Sequence, residues 1–201
     1  MCNSERGTDC RTGPIIGFQL PGCFAERALL PAISLVKVDD RISDSEAATL
    51  QSLSDSIAGV ETAQIRPGDS VAVFGQGSMG IESMQAARAC GAGQLITVDV
   101  RDEACQLSLE LGADHVINAR KDDPVEAIRA LTGGEGTDVV FECAGGSVKQ
   151  GLAGDQALKQ AMHAVRSGGK LVGVSWFGAP LQLDVDLLRE RSLRYLFPDI
   201  S

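Results

Sequence analysis

The sequence holds only two histidines, one tryptophan and one tyrosine in 201 residues. His115 precedes an apolar tetrapeptide and His163 lies in a helix-like stretch, and no Ser-His-Asp or H-E-x-x-H arrangement includes either. Both are read as structural or surface residues. No apolar run approaches the ~20 residues a membrane helix requires. The opening MCNSERGTDC has no apolar core of a signal peptide, so a cytoplasmic location is expected. An excess of basic charge is missing too. The net charge is −9, which repels phosphate backbones and anionic bilayers, so neither nucleic acid nor membrane is an expected partner. Without a secretory signal the six cysteines are not a disulfide framework. Cys90, Cys105 and Cys143 read as small buried hydrophobes. No short repeat or low-complexity tract interrupts the chain.

What is present is a rhythm that begins at Ser70. Apolar runs suited to buried strands (SVAVFG, LITVDV, HVIN, DVVFECAG, KLVGVSW, LRYLF) alternate with helix-like segments. That alternation predicts an α/β fold, a doubly wound parallel sheet of about six strands covered on both faces. Gly91, Gly112, Gly133 and Gly168 stand where helices should end. Upstream, Cys23 to Val38 reads as two short strands broken by Pro31. Ser43 to Ala63 reads as a helix opened by a Ser43–Glu46 capping box. Residues 1–66 hold too few apolar positions for a core of their own, so 67–201 is the expected α/β domain.

The first strand runs into GQGSMG. Gly75 permits a tight turn, Gly77 lets backbone approach a diphosphate, and Gly80 lets the next helix pack closely on the strand. With Ser78 and Met79 they form the expected diphosphate cradle at a helix N-terminus. Asp99 ends the second strand 19 residues beyond Gly80, where a carboxylate receives the adenosine ribose hydroxyls and repels a 2′-phosphate. This favours NAD over NADP. Arg101 pulls the other way, because a neighbouring arginine can accommodate that phosphate. A methyltransferase using S-adenosylmethionine shares the glycine-rich turn. It usually carries an acidic residue before its glycines, where this chain has Val73 and Phe74. The fourth and fifth strand ends, Cys143-Ala144-Gly145 after Glu142 and Val174-Ser175 before Trp176, should edge the nicotinamide half of the crevice.

The runs IRPGDSVAVFGQGSMG, LITVDV, LGADHVIN, GGEGTDVVFECAGG and AVRSGGKLVGVSW, in this order, resemble the medium-chain zinc-containing alcohol dehydrogenase family, with its sorbitol and threonine dehydrogenase relatives. The upstream run from Gly22 to Glu61 resembles the joint between that family's catalytic and cofactor domains. The resemblance implies a Rossmann domain that binds NAD, preceded by a remnant of a β-rich, GroES-like catalytic domain. It implies hydride transfer with an alcohol or polyol substrate, and a homodimer paired through the last strand, RYLF. The family holds a catalytic zinc whose first two ligands would fall before Met1 and whose third would align with Gln51, an uncharged and poor ligand. Asp55 lies one helical turn on. Cys2 and Cys10 match the last two cysteines of the family's structural zinc lobe, half of a four-ligand site, and read equally as free surface thiols. No catalytic residue is assigned in this chain, which is expected to be truncated at both ends and weakly active or inactive alone. A non-catalytic NAD(H)-binding module and a zinc-independent reductase of the same superfamily are the alternatives.

Overall fold

The structure is a computed structural model that describes residues 14–146 and 155–198. The chain divides into two units. One has 14–49 as its described part, and the other runs from Leu50 to Pro198.

In the first unit the two expected strands are not formed. Residues 23–38 hold a 3-10 helix at Ala32–Ser34 instead. Phe24, Leu29 and Val36 are exposed there, and Pro31 brings no N–H, so the segment lacks both a buried face and a full set of ladder donors. The expected helix over 43–63 forms as two pieces, α1 (Asp44–Ala47) and α2 (Leu50–Ala63). Ser43 caps α1 as its sequence implies, since its Oγ accepts from Glu46 N–H and the Glu46 carboxylate receives Ser43 N–H at 2.8 Å.

The second unit is a six-stranded sheet: β1 (Ser70–Phe74), β2 (Gln94–Asp99), β3 (His115–Asn118), β4 (Thr137–Glu142), β5 (Val165–Gly173) and β6 (Arg194–Leu196). Their order is β3-β2-β1-β4-β5-β6 and every pairing is parallel. Among the described residues the helices that join them are α3 (Ser78–Ala89), α4 (Asp102–Glu110), α5 (Pro124–Leu131), α6 (Gln156–Ala164) and α7 (Val185–Glu190). Strand periodicity splits the core. Ala72 and Phe74 of β1 pack with Ile128 of α5 and with Leu158 and Ala161 of α6. Val71 and Val73 face the other way, toward Val60 and Ala63 of α2 and Met84 and Ala87 of α3. Helix α2, expected with the amino-terminal region, therefore belongs to the sheet's core. Its last carbonyl, of Ala63, and that of Gln64 just beyond it accept from the buried Lys170 ammonium of β5.

Gly91, Gly112 and Gly133 each follow a helix in the left-handed conformation, as expected. Gly168 does not. Helix α6 ends at Ala164, because Val165 already pairs with Thr137 at the start of the ladder. The register then shifts until Lys170 pairs with Val139, and Gly168 (φ +72°) lies inside that irregular stretch. Cys90 caps α3 and is exposed, against the expectation of burial; Cys105 and Cys143 are partly buried.

One carboxylate ties the three central strands at their amino ends. Asp138 of β4 accepts from Ser70 N–H (2.8 Å) and Ser70 Oγ–H (2.7 Å) on β1 and from Arg166 Nε–H (2.7 Å) on β5. Burial pushes its carboxyl up, but these donors outweigh it and hold the group below its ordinary 3.8. A lowered folded value means that the stabilisation is complete above 3.8 and is lost as pH falls through the folded value. Asp138→Asn should therefore cost about 1–3 kcal/mol at neutral pH and show a shallower acid loss than the parent chain. Urea midpoints at neutral and acidic pH check this; equal slopes for both proteins would refute it.

Candidate dinucleotide-binding site

The strand order reverses between β1 and β4, and a parallel sheet opens a crevice at the carboxyl ends of the strands flanking such a switch. Gly75 leaves β1 with φ +87°, and a Cβ there would come within 2.7 Å of the Ala144 backbone after β4. The two loops thus touch across the switch. A Cβ on Gly80 would lie 1.8 Å from the Gly75 carbonyl oxygen, so the first turn of α3 sits against the strand end as the sequence required. Gly77 differs. It caps α3 in extended conformation without a side-chain cap bond, and a Cβ there would meet nothing within 4 Å. The first intrahelical bond is Ile81 N–H to the Gly77 carbonyl, at 3.0 Å. The amides of Ser78, Met79 and Gly80 therefore have no helical acceptor and carry the positive end of the helix dipole toward the open space beside Gly77. This is a cradle a Cβ would fill, and it fits a diphosphate.

The loop is held from below by a residue whose role the sequence did not disclose. Gln76 is 2% exposed. Its side-chain amide donates to the Val73 and Gly75 carbonyls at 3.1 Å each, and its Oε1 accepts from Ser108 Oγ–H of α4 at 3.1 Å. A glutamine between two loop glycines beside an apolar strand is the signal that was available. Its backbone N–H donates to Asp99 Oδ2 at 2.7 Å. Asp99 ends β2 with a nearly buried side chain. Its carboxylate also receives Val100 N–H and Arg101 N–H, and the Arg101 fork through Nε (3.1 Å) and Nη2 (3.2 Å). Burial pushes this carboxyl up, but the guanidinium and the amides outweigh it and leave it below its ordinary value.

At the ends of β4 and β5, Glu142 is fully buried. Its Oε1 receives the N–H groups of Ala144 and Gly145, at 2.9 Å each, and its other oxygen receives the Ser175 hydroxyl. An acid inside the apolar run VVFECAG marked it, yet no task followed from its position. Burial pushes its carboxyl above the ordinary value against the pull of Ser175, Gly145 and Ala144. The neighbouring Tyr195 hydroxyl is buried without a hydrogen-bond partner, and burial, with Glu142 adding, pushes it up to about 12. The Cys143 thiol turns toward Ser83 of α3 (3.9 Å), and burial pushes its pKa up. Val174 packs in the core, so only its backbone and that of Ala144 and Gly145, with Ser175, edge the crevice. Trp176 is 87% exposed.

Among the described residues no zinc site is assembled. Gln51 Nε2 donates to Asp55 at 2.5 Å, and no group of three or more His, Cys, Asp or Glu gathers among the described residues. Cys2 and Cys10 lie outside the described residues. The residues described do not fit a zinc ion.

A family model described as zinc-binding dehydrogenase matches residues 78–197. Sorbitol dehydrogenase of Bacillus subtilis is 32% identical over 166 residues, covering 83% of this chain and 44% of that protein. L-threonine 3-dehydrogenase of Bacillus licheniformis is 31% identical, over 92% of this chain and 51% of that protein. The solved structure of a protein described as a zinc-binding dehydrogenase from Sinorhizobium meliloti, bound to NADP, superposes with a TM-score of 0.84 at 28% identity, covering 95% of this chain and 55% of that one. The chain spans about half the length of the curated relatives it matches. With the glycine turn, the sheet order and the matched residues in agreement, the chain belongs to the zinc-binding dehydrogenase family.

Proposed function

We propose that this chain is the dinucleotide-binding portion of an alcohol or polyol dehydrogenase, acting through a cofactor of the NAD class. The observation that carries this is the set of three partnerless amides at the head of α3, facing open space beside Gly77 at the sheet's switch point. Gly75, Gly77, Ser78, Met79 and Gly80 hold the diphosphate. Asp99 and Arg101 stand at the adenosine ribose. Ala144, Gly145, Ser175 and the Val174 backbone edge the nicotinamide half, the Cys143 thiol being turned toward Ser83 instead, with Glu142 bracing the Ala144 and Gly145 amides from below. Bound there, a cofactor of this class would supply the acceptor for a hydride from the alcohol carbon. This chain's residues bind and orient it, and none of those described has the geometry to activate the alcohol oxygen. The compounds in the relatives' names, sorbitol and L-threonine, support a small hydroxylated substrate.

A homodimer through β6 accompanies this reading. β6 is the last strand of the sheet, so its outer edge leaves backbone groups for a second copy. Sedimentation velocity of the chain and of Tyr195→Pro checks it, with a dimer expected for the first and a monomer for the second.

Titration with NADH, read by energy transfer from Trp176, tests the binding. Saturable transfer is expected, and its absence from folded protein would end the reading. Two glycine variants separate fold from ligand. Gly77→Ala should leave thermal stability within about 0.5 kcal/mol, because nothing meets the new Cβ, yet weaken NADH at least ~tenfold by crowding the diphosphate. Gly80→Ala should lose several kcal/mol of stability as well, since its Cβ collides with backbone. Exhaustive chelation of zinc should leave NADH affinity unchanged within about twofold. The isolated chain is expected to show little or no alcohol turnover; rapid, zinc-dependent turnover would overturn the assignment of its role.

A further inference from the structure

The exposed charged group just beyond the end of β2 is a cation, Arg101. Asp99 accepts five N–H bonds, from Gln76, Val100, the Arg101 amide and two nitrogens of the Arg101 fork. A carboxylate offers about four lone-pair sites, so it has none left for a ribose hydroxyl while Arg101 stays in place. Its side chain is 6% exposed, whereas that of Arg101 is 56% exposed. The guanidinium lies across the strand end, with Nη2 also donating to the Gln76 carbonyl at 3.2 Å, and Nη1 has no partner among the described residues. The next carboxylate, Asp102, is matched as well. It receives Lys121 Nζ–H at 2.6 Å and Asn118 Nδ2–H at 2.7 Å, and Asn118 is the β3 residue in register with Asp99. Glu103 is the remaining acid acting on Arg101.

The repulsion that an unpaired Asp99 would exert on a 2′-phosphate is thus cancelled before any ligand arrives. We infer that Arg101 is the specificity-determining residue of this site and that the chain accepts a 2′-phosphorylated dinucleotide as readily as NAD(H). The inference rests on the dinucleotide reading above. With the phosphorylated cofactor, Arg101 keeps its bond to Asp99 and turns free N–H donors to the phosphate, a charge-assisted and bidentate-capable contact. With the unphosphorylated one, Arg101 must withdraw from the carboxylate to free acceptors for the ribose hydroxyls. The two cofactors therefore use the same pair of side chains in different pairings.

The test is a set of NADH and NADPH titrations on the 201-residue chain and on Arg101→Ala and Arg101→Lys. Circular dichroism and thermal melting establish that each variant is folded. In the parent chain, NADPH should bind within ~threefold of NADH. Arg101→Ala should weaken NADPH at least ~tenfold while NADH holds or tightens, because Asp99 is released. Arg101→Lys should recover part of the NADPH affinity and lose the rest with salt. NADH binding with NADPH more than ~30-fold weaker overturns this inference and leaves the dinucleotide reading intact. Equal losses of both cofactors in Arg101→Ala overturn it too. Failure of both cofactors to bind folded parent chain removes the dinucleotide reading itself.

Discussion

No side chain fits between residue 80 and the carbonyl oxygen of Gly75. That single close approach fixes how the first helix leaves the first strand, and much else depends on it. It sets α3 against the sheet, so that Met84 and Ala87 reach the core. It aims the helix amides at the switch point. It also brings the loop after β1 into van der Waals contact with the loop after β4, where Gly75 and Ala144 leave no room for more than a hydrogen. Sterics, more than any attractive contact, define the crevice.

The polar groups buried beneath that crevice serve the same end. Gln76, Ser108 and Asp99 hold the first loop, and Glu142 holds the second together with Ser175. Such groups stabilise a structure little unless all are satisfied, and here nearly all are, Thr137 Oγ1 and Tyr195 Oη being the buried exceptions among the described residues. Their contribution is directional. Each fixes a backbone amide or carbonyl that would otherwise be free to turn at a strand end. The rim can then meet a charged ligand without reorganising.

Much of this was legible in the sequence. The six strands, the helices between them and the glycine turn follow from near-continuous apolar runs and from glycines at fixed offsets. Errors arose where tertiary context decides. Residues 23–38 have strand-like composition but pair with no strand among the described residues, and they hold a 3-10 turn instead. Val165 continues a helical pattern, yet pairing with Thr137 draws it into β5. Helix α2 falls in the stretch judged too poor in apolar positions for a core of its own, and it completes the core of the sheet instead. The acids were harder still. Sequence spacing put Asp99 at the end of β2 but could not reveal that Arg101, two residues on, would lie over it. Likewise Glu142 could be seen at a strand end, while its receipt of two amides depends on a loop path that no periodicity encodes.

The central pairing also bears on how the molecule comes to exist. β1 and β4 are neighbours in the sheet, but the Ser70–Asp138 contact that begins their ladder joins residues 68 apart in the chain. Closing so long a loop costs conformational entropy before any ladder bond returns it, and parallel pairing of this kind is slow. β1 with β2, and β2 with β3, can associate through shorter crossovers. The crevice, however, needs the loops after both β1 and β4. It is therefore complete only once the long closure has been made, and a ligand seated in it stabilises only chains that have made it.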